Sequence, residues 1–164
     1  MKKIAFFLAA LMLLSTLTSC ALLGGSEQTF EVHELSITLK GRFTKQTGFT
    51  TANAVIASPD VCVALYRFEK SDLKTFETDD DMSAALFATY YMDHYLLKEA
   101  EIQSDGDLVY ISIPYEDNGD EFTYFFSFYA AETTYWVVEM SCDSDKYEKK
   151  LPDFIQWANS VTID

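Results

Sequence analysis

The segment Phe122–Tyr129 constrains the fold more than any other stretch of the chain. Its even positions are Phe122, Tyr124, Phe126 and Phe128, and its odd positions are Thr123, Phe125, Ser127 and Tyr129. Side chains alternate across a strand, so this segment presents a largely apolar surface on both sides. Such a strand needs cover on two faces and belongs in the interior of its sheet. Two segments can supply the cover. Between Asp81 and Lys98, residues Met82, Ala85, Leu86, Thr89, Met92 and Leu96 recur at the spacing of an amphipathic helix. Near the end of the chain, Tyr147, Leu151, Phe154, Ile155, Ala158 and Val161 form a second helical stripe. Asp145 and Glu148 stand there as a capping box, and Pro152 predicts a kink or a helix start.

Turn signals divide the remaining apolar runs into strands. Leu35-Ser36-Ile37-Thr38-Leu39 alternates with period two and ends at Gly41. Ala52–Ala57 and Val61–Glu69 flank Ser58-Pro59-Asp60, a hairpin turn. Glu101–Ser104 and Leu108–Ile113 flank Asp105-Gly106, and Asn118-Gly119 precedes the strand Glu121–Ala131. Thr133–Cys142 is the last long strand. Short hairpin turns make the sheet mostly antiparallel, so the expected class is α+β: an antiparallel sheet covered by helices.

Composition sets the outer limits. The 164 residues include 26 Asp and Glu against 12 Lys and Arg, a formal charge of −14. A nucleic-acid binder carries a basic face, so that class is excluded as an expectation. With 49% apolar and 15% aromatic residues the chain can bury enough surface to fold, as one domain. The charge is lopsided: from Phe76 onward there are 20 acids and only Lys98, Lys146, Lys149 and Lys150 as bases. An acidic surface keeps a protein soluble, and it also offers a face for a basic partner or for cations.

The first twenty residues carry an address. Met1-Lys2-Lys3 is a short basic start, and the apolar run Ile4–Leu14 has the length of a signal-peptide core rather than of a membrane span, which needs about 20 residues. Leu17-Thr18-Ser19-Cys20 follows. This tetrapeptide resembles the lipobox of bacterial lipoproteins, whose cysteine thiol receives a diacylglycerol and whose signal is cut just before it. The resemblance implies a signal peptide over residues 1–19, lipid attachment at Cys20, a lipidated tether over 20–29 and a single domain over 30–164. It also implies a protein on the extracytoplasmic face of a bacterial cell membrane. Two acyl chains on one residue suffice for stable anchoring.

The order of elements resembles a second family, the PsbP-like fold. Leu35, Ile37, Leu39 and Phe43 fit the family's apolar start, although Lys40 stands where a proline is common, and Phe154, Trp157, Ala158 and Val161 fit its closing helix. The resemblance implies an α/β/α sandwich and a non-enzymatic partner of a membrane-associated complex.

Candidates for chemistry are few. His33 and His94 stand in no metal-ligand or catalytic spacing, and no serine lies in a Gly-x-Ser-x-Gly or Ser-x-x-Lys context. Asp79-Asp80-Asp81 reads as helix capping, and Glu116–Glu121 as a charged hairpin tip lacking calcium-loop spacing. Neither catalytic residues, metal ligands nor a cofactor are expected. Tyr91 and Tyr95, one turn apart and off the helix stripe, are candidates for a partner surface. Cys62 lies in a core setting and Cys142 at a strand end near the surface, and both are expected as free thiols. The functional expectation is a membrane-anchored binding or accessory module for a protein partner. The alternative is a lipoprotein that binds a small ligand or cation through its acidic half.

Overall fold

Phe122–Tyr129 does lie within an interior strand. The structure, a computed structural model, describes residues 25–73, 82–95, 97, 100–117 and 119–164. Its elements are β1 (Glu27–Val32), β2 (Leu35–Lys40), β3 (Thr44–Gln46), β4 (Ala54–Ala57), β5 (Cys62–Glu69) and a single turn α1 (Lys70–Leu73). The helix α2 (Ala84–His94) precedes β6 (Gln103–Asp105), β7 (Leu108–Asp117), β8 (Asp120–Ala130) and β9 (Thr134–Asp143). A 3-10 turn (Ser144–Lys146), α3 (Tyr147–Asn159) and β10 (Thr162–Ile163) complete the chain. The large sheet has the order β3-β4-β5-β9-β8-β7-β6, and a small one has the order β1-β2-β10. Among the described residues every strand pair is antiparallel.

Alternation along β8 and β9 divides the core in two. Phe125, Trp136, Val138, Met140 and Cys142 face one way, against Leu35, Ile37 and Leu39 of the small sheet and Phe154, Trp157 and Ala158 of α3. Phe126, Phe128, Tyr135 and Val137 face the other way, against Phe87, Ala88 and Tyr91 of α2. The architecture is therefore an α+β sandwich with a helix on each side of the sheet. The small sheet shares the α3 side. β10 pairs with β2 at Thr162↔Ser36 and Ile163↔Leu35, a strand too short to leave a pattern in the sequence. β1 begins at Glu27, within the segment expected as tether. Cys20 and the apolar run before it lie outside the described residues.

Three details depart from expectation. α2 buries Phe87, Ala88 and Tyr91, whereas Leu86 of the expected stripe is 51% exposed. The aromatic residues outcompete the aliphatic ones because the sheet offers rings: Phe87 stacks on Tyr135 at 4.5 Å, and Tyr91 meets Phe128 edge-on at 5.5 Å. Ser83, not an aspartate, caps this helix, its Oγ accepting from the Leu86 N–H at 3.3 Å; Asp79–Asp81 lie outside the described residues. At α3 the capping box is not formed, since the 3-10 turn runs straight into the helix and its N-cap is Lys146. Pro152 lies inside α3, on its exposed side.

Candidate functional site

One carboxylate among the described residues is held by three side-chain donors, and nothing in the sequence singled it out. Glu34 follows His33, whose backbone is left-handed (φ 53°), in the turn between β1 and β2. Its Oε1 accepts from Arg67 Nε at 2.8 Å, Thr134 Oγ1 at 3.0 Å and Trp136 Nε1 at 3.2 Å. Arg67 also pairs with Glu69. Desolvation alone would raise the Glu34 pKa, but Arg67, the backbone and the Thr134 and Trp136 donors hold it at about 2. One carboxylate thus fastens the small sheet to the large one.

The sign of its pH dependence follows. A carboxylate with a folded pKa near 2 against 4.5 unfolded contributes its stability above 4.5 and loses it as pH falls toward 2. Glu34 is partly exposed, so its contribution is well below what the full shift would give. Glu34→Gln is expected to cost about 1–2 kcal/mol at neutral pH, a cost that shrinks on acidification. Urea midpoints of both proteins across a pH series check this; a gap independent of pH would refute the assignment.

The other feature is an aromatic ladder on the α2 side of the large sheet. Tyr95 contacts Tyr91 at 4.4 Å, Tyr91 contacts Phe126 at 6.0 Å, Phe126 contacts Tyr124 at 6.1 Å, and Tyr124 contacts Tyr115 at 5.9 Å. Its ends are open: Tyr95 is 49% and Tyr115 54% exposed. Tyr91, expected at a partner surface, is instead buried in the ladder's middle. Beside it the Tyr66 hydroxyl donates to Glu139, a half-buried carboxylate whose pKa burial raises and Tyr66 partly restores.

The cysteines exchange the settings expected of them. Cys62 is exposed and Cys142 buried, and both are free. The register explains it: Cys62, opposite Ser141, is on the face of β5 turned away from the core that holds Val63 and Leu65, while Cys142 joins that core under α3. Partial desolvation and then Glu139 push the Cys62 thiol up, which leaves it a weak nucleophile at neutral pH.

His33 and His94 are both exposed, on different elements. Asp120, Glu121, Asp143 and Asp145 line an open hollow at the β7–β8 hairpin tip. Among the described residues no three acidic, histidine or cysteine side chains converge to hold a metal ion. No helix of the described residues is long and apolar enough to cross a membrane.

The mostly antiparallel sheet with a helix on each side is the α+β class expected from the sequence, and two solved structures share this fold. The solution structure of cyanobacterial PsbP (CyanoP) from Synechocystis sp. PCC 6803 is similar with a TM-score of 0.56 at 14% identity, covering 85% of this chain and 94% of that one. A crystal structure from Bacteroides thetaiotaomicron VPI-5482 is similar with a TM-score of 0.56 at 8% identity; 85% of this chain is covered, but only 48% of that protein. This chain therefore spans about half the length of the Bacteroides protein. At these identities the likeness is one of fold. No family model matches the chain, and no curated protein matches it.

Proposed function

We propose that this chain is a membrane-anchored, extracytoplasmic lipoprotein whose domain is a non-catalytic binding or accessory module for a protein partner. The observation that carries the reading is the aromatic ladder from Tyr95 to Tyr115. Its rings are fixed by the sheet and by α2, so they lose little freedom when covered, and tyrosines of this kind are enriched in binding hot spots. The sequence around Cys20 supports the anchor, and the fold likeness to CyanoP supports an accessory role. A weakly nucleophilic Cys62 and scattered histidines speak for binding rather than catalysis.

The test is affinity capture from detergent-solubilised membranes with the intact chain and with a Tyr95→Ser/Tyr115→Ser double variant. A partner recovered with the intact chain is expected to fall about tenfold or more with the variant, since truncating an aromatic hot spot costs about 2 kcal/mol. A Leu86→Ser control, changing an exposed residue outside the ladder, should leave capture unchanged. Equal recovery with all three would overturn the reading.

A further inference from the structure

Glu139 stands on the opposite face of β9 from Thr134 and Trp136, the neighbours of Glu34, and its surroundings are the reverse. Glu34 has a guanidinium and two neutral side-chain donors, whereas Glu139 has one neutral donor, the Tyr66 hydroxyl. Register places Glu139 between Ala64 of β5 and Phe126 of β8, on the side that α2 covers. Those elements carry no cation for it. β8, β9 and α2 contain neither lysine nor arginine, and the single base of β5, Arg67, is on the other face with Glu34. Lys70, 5.0 Å over the Tyr135 ring, and Lys146, 2.7 Å from Asp143, serve positions four residues away along β9 in either direction, a distance of about 13 Å. A half-buried carboxylate without a counter-ion is costly to the fold, and a glutamine would accept the Tyr66 hydrogen bond at lower cost. Packing alone therefore gives no reason for an acid here.

Aromatic rings surround it instead. Tyr66 and Tyr91 both lie within reach of the Glu139 charge, Tyr91 contacts Phe126 at 6.0 Å, and the exposed Tyr95 contacts Tyr91 at 4.4 Å. The faces of such rings attract an ammonium, for which the carboxylate is the counter-charge. The charge of the whole chain acts in the same sense, since −14 draws a basic partner and repels an acidic one. Lysine fits this setting better than arginine. It carries a compact charge on a flexible apolar stem, which reaches a carboxylate set below the surface while its methylenes lie along the rings.

We propose that Glu139, with Tyr66 and the Tyr91–Tyr95 end of the aromatic ladder, receives a lysine ammonium of the protein partner. This names the partner's chemistry at the surface proposed above and rests on that reading. The ladder supplies the apolar contact area, and Glu139 fixes where a single positive charge of the partner comes to rest. A partner with a neutral residue at that point would leave the carboxylate covered and unpaired, so the same acid that costs the free domain stability discriminates between partners.

Cys62 offers the test. It is exposed, it lies two positions along β5 from Ala64, the residue opposite Glu139, and the Glu139 charge reaches it. The full chain in a non-ionic detergent is equilibrated at mildly alkaline pH with equal amounts of cystamine and bis(2-hydroxyethyl) disulfide and their thiols. Exchange joins one half of either disulfide to the Cys62 sulfur and releases the other half as thiol. The two caps match in length and differ only in ammonium against hydroxyl, and mass spectrometry of the peptide carrying Cys62 gives their ratio. Arg42 lines the hollow that includes Cys62, so the background works against the ammonium. The ammonium cap is expected to prevail about fivefold on the intact chain and to lose about threefold or more of that preference in Glu139→Gln. Glu132→Gln, which removes the same charge at the exposed β8–β9 turn, should leave the ratio unchanged. A ratio near one on the intact chain, or one that Glu132→Gln lowers as much as Glu139→Gln, overturns the proposal. The urea midpoint of Glu139→Gln is expected to be no lower than that of the intact chain; a lower one would make the acid part of the fold and likewise overturn it. The exchange needs neither anchor nor partner, so its failure leaves the capture experiment standing. A failed capture beside a clear ammonium preference overturns the partner surface and leaves the ammonium site.

Discussion

Cys20→Ala is expected to move the protein from the membrane fraction to the soluble extracytoplasmic fraction. The proposed anchor is a diacylglycerol thioether on the Cys20 thiol, and serine or alanine cannot be lipidated by that route. Each buried methylene of an acyl chain contributes about 0.8 kcal/mol, so two chains hold a protein firmly where one gives only marginal binding. Among the described residues no helix is long and apolar enough to cross a membrane in its place. A chain of net charge −14 is repelled by anionic headgroups. Fractionation after a high-salt wash is the measurement. A variant that still sediments with the membranes would remove the lipoprotein reading.

How much of this was legible in the sequence depended on the range of the interactions. β8 could be read because alternation and burial on both faces are local properties of Phe122–Tyr129. The hairpin at Ser58–Val61 was equally plain, since its turn is closed by a serine three residues away. The stripe of α2 was misjudged because a helix has two candidate apolar faces whenever aromatic and aliphatic residues interleave. Only the opposing surface, Tyr135 and Phe128, chooses between Phe87-Ala88-Tyr91 and Leu86. The cysteines were exchanged for a similar reason. Apolar neighbours in sequence say nothing of which side of a sheet is covered, and Cys62 is the exposed first residue of its strand. Glu34 was invisible, since its partners are 33, 100 and 102 residues distant.

The interaction with most at stake in the fold runs through Trp136. It is 0% exposed, sits in β9 opposite Arg67 of β5 and Tyr129 of β8, and is the largest of the fully buried side chains. Its ring fills the layer between the two sheets, and its Nε1–H is one of three side-chain donors holding Glu34. Trp136→Ala removes both contributions. The expected loss is about 3–5 kcal/mol, a large part of the 5–15 kcal/mol that holds a typical domain together. Trp136→Phe separates the two effects: it keeps most of the ring and removes the N–H donor. Glu34 would retain Arg67 and Thr134, so this change is expected to cost only about 1–2 kcal/mol. Urea unfolding of both variants distinguishes packing from hydrogen bonding, with an unchanged slope showing that the same surface is exposed on unfolding. If the alanine variant lost less than about 1 kcal/mol, the layer at Trp136 would not be close-packed. If the phenylalanine variant lost as much as alanine, Glu34 rather than the ring would dominate, because a carboxylate short of one donor would then cost more than the cavity.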